Sequence, residues 1–86
     1  MRIDIGHTVK VLRAIDSISQ AELAKRLEVS PAHISLLESG RRDPSLPLLE
    51  SVIRYFGLTQ VQFFILMDRF LNVHTLQQHI GQQKHP

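Results

Sequence analysis

The sequence contains no cysteine. That excludes disulfides and thiolate metal sites, and it suits an intracellular, cytoplasmic protein. No apolar run approaches the ~18–20 residues needed to cross a bilayer; the longest, FFILM at 63–67, has five. The N-terminus MRIDIGHTVKVLRAID carries acids and no apolar stretch, so neither a signal peptide nor a membrane partner is expected. Internal repeats, low-complexity tracts and blocks of five like charges are all missing. So are a Gly-rich phosphate loop and any motif-like spacing of Ser, His and Asp. No catalytic residue and no cofactor is therefore assigned, and an enzyme is not expected. His74, His79 and His85 lie five and six residues apart, wrong for one helical face and without carboxylate companions, so no metal site is expected.

What remains is a chain of 86 residues, enough for one domain and too short for two. A hydrophobic fraction of 43% and a charged fraction of 21% fit a folded globular protein. A net charge of +2 and a sequence pI near 9.5 lean weakly toward an anionic partner.

Apolar residues recur at spacings of three and four along nearly the whole chain, so the domain reads as all-α. A first helix is expected from about Ile5 to Ile15, with Ile5, Val9 and Leu12 on one face. Ser19 with Glu22 forms an S-x-x-E capping box that opens a second helix over Gln20 to Leu27. Glu28-Val29 breaks it. Ser30-Pro31 opens a third helix, with proline at the first position where its missing N–H costs nothing. That helix runs to Leu37 or Glu38, and Gly40 follows its end. Arg41-Arg42-Asp43-Pro44 is a short basic loop. Ser45 caps a fourth helix whose core face is Leu49, Val52, Ile53 and Phe56, ended by Gly57. Thr59 caps a fifth over about 60–73. Residues 74–86 form a polar tail expected to fray.

Two eight-residue helices joined by a three-residue turn make a helix-turn-helix arrangement. Small Ala24 lets the third helix cross close over the second, and Val29, Ile34 and Leu37 fill the angle between them. At about 100° per residue, Ala32, Ser35, Leu36 and Ser39 then face outward. A short, uncharged, slightly apolar outer face is odd in water and less odd in a groove.

LR at 12–13, SQAELA at 19–24, VS at 29–30, IS at 34–35, LE at 37–38, G at 40, PSL at 44–46 and FGLT at 56–59 fall in one ungapped pattern. Through them residues 5–59 resemble the helix-turn-helix of the Cro and phage-repressor family, also called the XRE family. The resemblance implies a compact five-helix, lambda-repressor-like fold over residues 1–73. It also implies binding of double-stranded DNA, usually as a homodimer on a palindromic site, and regulation of transcription.

Position by position, the resemblance implies phosphate contacts from Gln20, Ser30, Ser39 and Gly40, with Arg41 and Arg42 over the sugar-phosphate backbone. The amides that open helix two favour an anion on their own account. Base reading is implied for Pro31, Ala32, Ser35 and Leu36, with His33 at the flank. His33 could donate to a phosphate or a purine acceptor, or simply be an exposed helix residue; the RRD loop, taken alone, could be a solvated turn. Arg13 and Glu38 match a structural salt bridge that joins helices one and three. The chain departs from the family at Glu28, where glycine is usual. It departs again on a reading face without the side chains that make bidentate base contacts. Ala32 and Leu36 could instead meet thymine methyls, with Ser35 adding a hydrogen bond.

The fifth helix, VQFFILMDRFLNV, is apolar on nearly all faces. Val11 and Ile15 on helix one, and Leu48 and Tyr55 on helix four, are apolar where the family often has polar residues. Surplus apolar surface marks an interface, and Phe63, Leu66, Met67 and Phe70 are the expected homodimer contacts. The alternative is that this helix folds back over Val11 and Ile15 within one chain. A second functional class stays open with it: a protein-interaction module or antitoxin-like autoregulator whose fifth helix binds a protein partner.

Overall fold

A computed structural model describes residues 2–70. The polar tail expected at 74–86, and the end of the helix expected to reach 73, lie outside the described residues. Among the described residues there are five helices: α1 (Arg2–Ile15), α2 (Gln20–Leu27), α3 (Pro31–Glu38), α4 (Leu46–Tyr55) and α5 (60–70). There is no strand among the described residues. The all-α, five-helix expectation is met.

Each of the last four helices begins with a hydroxyl. Ser19, Ser30 and Ser45 are extended, and their Oγ atoms accept from the backbone N–H of Glu22, His33 and Leu48 at 3.0, 3.1 and 3.3 Å. At α5 the box is reciprocal: Gln62 N–H donates to Thr59 Oγ1 at 3.0 Å, and Thr59 N–H donates to Gln62 Oε1 at 2.9 Å. Caps of this kind contribute about 1 kcal/mol each.

The ends of α1 to α4 share one geometry. A left-handed residue follows each helix: Ser17 (φ 57°), Glu28 (φ 60°), Gly40 (φ 77°) and Gly57 (φ 72°). The next N–H then reaches back five residues, Ile18 to Arg13, Val29 to Ala24, Arg41 to Leu36 and Leu58 to Ile53, at 3.0–3.2 Å. This is the Schellman closure. Two of the four positions use side-chain-bearing residues in a conformation that favours glycine.

The helices pack α1 on α3, and α2 on α3 and α4. Val9, Leu23, Ala24, Ile34, Leu37, Leu48, Val52, Ile53 and Phe63 form the buried core. Leu48 was expected at the surface and is buried, whereas Leu49 is half-buried. The inward face of α4 is centred on the Leu48–Val52 pair one turn apart, one position earlier than expected. Gly6 lies mid-helix in α1 against the end of α3. A Cβ there would stand 2.1 Å from the Leu37 carbonyl oxygen and 3.0 Å from that of Glu38.

On α5 the expected dimer contacts turn inward. Phe63 is 0% exposed, Leu66 and Met67 are half-buried, and Phe70 sets its ring edge-on to His7 at 6.2 Å. Residues 63, 66, 67 and 70 share one helical face, and that face covers the protein's own core. Phe63 in particular has no surface to offer a second chain. The outward apolar residues are Val61 (68% exposed), Phe64 (44%) and Ile65 (49%). Ile15 stays 68% exposed, so α5 does not fold over it.

Candidate nucleic-acid interface

The turn between α2 and α3 and the packing of Ile34 and Leu37 set the rotation of α3. With those two side chains fully buried, Pro31, Ala32, Ser35, Leu36 and Ser39 are left exposed, and His33 is half-buried at the flank. The face expected to read bases is therefore the face that is free. Ser30 lies at its start. Its hydroxyl oxygen accepts from His33 N–H, which leaves the hydroxyl proton for an outside acceptor.

The other end of α3 is closed on Leu36. Its carbonyl accepts from Arg41 N–H (3.0 Å), Arg42 N–H (3.3 Å) and the Ser39 hydroxyl (3.0 Å). Gly40 N–H donates to Leu37 O at 3.1 Å. Ser39 and Gly40 were expected to donate to phosphate, but both donors are engaged inside the helix end. Their role in this geometry is to clamp the loop. Arg41 and Arg42 keep exposed side chains on that clamped loop, directly beside the α3 face.

Behind α3 sits a charged anchor. Arg13 Nε and Nη2 donate to Glu38 Oε2 and Oε1 at 2.7 and 3.0 Å, and Nη1 donates to Ile18 O at 2.9 Å. The Arg13 side chain is 17% exposed and that of Glu38 4%. The hydrogen bond that Arg13 donates to Glu38 raises the Arg13 pKa above its ordinary value, outweighing the desolvation that lowers it. This is the structural pair expected from the sequence. Gln20 joins it: its Nε2 donates to Glu38 Oε1 at 2.9 Å. One amide proton of Gln20 is thereby turned inward, which fixes the side chain at the N-terminus of α2 and leaves the second proton. Reading the sequence missed both this bond and the role of Gly6. A glycine inside an apolar-periodic helix was the available signal for the second.

Residues 4–63 match the sequence pattern of the helix-turn-helix domain family. The chain belongs to that family. This helix-turn-helix protein is 38% identical over 60 residues to an HTH-type transcriptional regulator of Methanocaldococcus jannaschii, covering 70% of this chain and 91% of that one. It is 33% identical over 70 residues to the competence pilus inhibition repressor of Acinetobacter baylyi, covering 81% of this chain and 64% of that one. In three dimensions it is similar to the crystal structure of the clp gene regulator ClgR from Corynebacterium glutamicum. The TM-score is 0.83 with 28% identity, covering 99% of this chain and 94% of that one. Among the described residues of this helix-turn-helix protein, no group of His, Asp or Glu is placed to hold a metal ion. No helix there is long and apolar enough to cross a membrane.

Proposed function

We propose that the protein is a sequence-specific DNA-binding transcriptional regulator that lays α3 in the major groove. The observation that carries this is the exposed Pro31–Ala32–Ser35–Leu36 face held rigidly beside the exposed Arg41–Arg42 loop. A groove-sized helix next to paired cations suits a duplex, whose phosphates fix the register while the helix meets base edges. Gln20, Ser30, Arg41 and Arg42 supply the phosphate contacts, and Ser39 with Gly40 holds the loop that presents the two arginines. The relative named as an HTH-type transcriptional regulator and the solved structure of a clp gene regulator support the same reading.

In this reading a homodimer binds a palindromic operator, with half-sites about one helical turn, ~34 Å, apart. Val61, Phe64 and Ile65 supply the surface for the second copy. Random-sequence selection followed by a mobility-shift assay at ~100 mM salt tests the proposal. Enrichment of one inverted-repeat site is expected, and enrichment of none overturns it. The exposed α5 face also favours a second reading, a module that binds a different protein partner. A chain that selects no DNA and stays monomeric would favour it.

A further inference from the structure

We infer that α3 reads the C5-methyl group of pyrimidines in the major groove, and that the protein accepts 5-methylcytosine where it accepts thymine. The inference rests on the DNA-binding reading above and names the chemistry that its site selects.

Bidentate recognition of guanine needs Arg or Lys, of adenine Asn or Gln, and cytosine is read by a free carboxylate. From Pro31 to Glu38 there is no Arg, Lys, Asn or Gln. The single carboxylate, Glu38, is buried and already accepts from Arg13 and Gln20. α3 itself therefore offers no fork to any base. What the face offers is carbon: Pro31, Ala32 and Leu36, a residue 37% exposed. Leu36 is held firmly, because its carbonyl accepts three hydrogen bonds from the loop that carries Arg41 and Arg42. The apolar side chain and the cations thus sit on one rigid unit, which charge complementarity presses toward the duplex.

The feature of the major groove that such a surface distinguishes is the methyl group at pyrimidine C5. Thymine and 5-methylcytosine both carry it. They differ beside it, O4 accepting in thymine and N4 donating in 5-methylcytosine, and the adjacent Ser35 hydroxyl can serve either. Discrimination then lies between methylated and unmethylated pyrimidines, at about fourfold in affinity per methyl covered.

The test starts from the site obtained by selection and changes one group at a time. Replacing each thymine by deoxyuridine removes only the methyl. Affinity is expected to fall about fourfold at one or more positions in each half-site. At those positions a cytosine–guanine pair is expected to bind weakly, and 5-methylcytosine–guanine to recover most of the loss. Leu36→Ala, folded by circular dichroism, is expected to abolish the deoxyuridine effect at one position and leave the others. A site that is selected but indifferent to deoxyuridine everywhere overturns this inference alone. A loss on deoxyuridine that 5-methylcytosine fails to recover overturns the equivalence. Selection of no site overturns the DNA-binding reading, and this inference with it.

Discussion

Gly6 of α1 and the Leu37 carbonyl of α3 approach so closely that a methyl group on Gly6 would stand 2.1 Å from the oxygen. The contact sets how near α1 lies to the helix that carries the exposed face. Helix propensity and packing predict opposite signs for Gly6→Ala. Propensity favours alanine by about 1 kcal/mol. A clash with backbone cannot be relieved by a rotamer change; overpacking costs about 1–3 kcal/mol, and a fixed carbonyl oxygen this close puts it toward the upper end. The clash is the larger effect, so Gly6→Ala is expected to unfold at markedly lower urea than the parent. A higher midpoint would show that α1 and α3 separate easily.

A second prediction concerns the anchor. Arg13→Ala leaves the Glu38 side chain, 4% exposed, hydrogen-bonded to Gln20 but without its bidentate cationic partner. Breaking a buried pair by removing one member typically costs about 3 kcal/mol. Replacing both, as in Arg13→Met with Glu38→Leu, is expected to recover most of that in equilibrium unfolding. The raised Arg13 pKa sets the sign of the pH dependence. Its contribution is complete below the ordinary guanidinium range and is lost only as pH climbs through the raised value. From this cation, the midpoint should stay flat between about pH 6 and 9.

Much of this architecture was legible because the sequence marks helix starts chemically. Ser19, Ser30, Ser45 and Thr59 each announced a cap, and each caps. Faces were harder. α5 is apolar nearly all round, so spacing could not say which stripe meets the core, and Phe63, expected at a dimer interface, lies in the core. The exposed strip on α3 was readable because Ile34 and Leu37 lie three residues apart on one face, and every neighbour between Pro31 and Ser35 is small or polar; only Leu36 breaks the pattern. The engagement of Ser39, Gly40 and Gln20 was not, since residue type shows that a donor exists and not where its proton goes.

The third prediction follows from the helix ends. Glu28 and Ser17 hold φ values of 60° and 57° at positions that elsewhere in this chain are glycine. A left-handed side-chain-bearing residue costs roughly 1–2 kcal/mol, and glycine gives back part of that gain through its freer unfolded chain. Glu28→Gly and Ser17→Gly should each stabilise by about 0.5–1 kcal/mol, and together nearly additively because their turns are separate. Thermal unfolding followed by circular dichroism reads this directly. A loss of stability in both would mean that the side chains make contacts worth more than the strain.

The two faces of α5 allow a fourth prediction that separates folding from association. Phe63→Ala opens the core and is expected to cost about 3–5 kcal/mol. Phe64→Glu with Ile65→Glu changes only outward residues, 44% and 49% exposed. It should cost a single chain about 1 kcal/mol, because Phe64 also sets its ring edge-on to Phe63 at 6.0 Å, well below the cost of Phe63→Ala. In light scattering coupled to size exclusion, the parent is expected at the mass of two chains and the double variant at one. A parent that runs as a monomer at tens of micromolar, or a double variant that stays dimeric, would remove this face from the proposed interface.

The last prediction separates cations that touch phosphate from donors that only hold the loop. Each phosphate neutralised contributes about 0.9 to the slope of log affinity against log salt. Arg41→Ala with Arg42→Ala should therefore flatten that slope by about 1.8 per protomer and weaken binding alike on selected and unselected sequences. Ser39→Ala removes the hydroxyl that donates to Leu36 O but carries no charge. It is expected to leave the slope unchanged and lower affinity only as far as the loop loosens. Filter binding from about 50 to 200 mM salt distinguishes the two. An unchanged slope in the double arginine variant would place Arg41 and Arg42 in solvent, away from the backbone of any bound duplex.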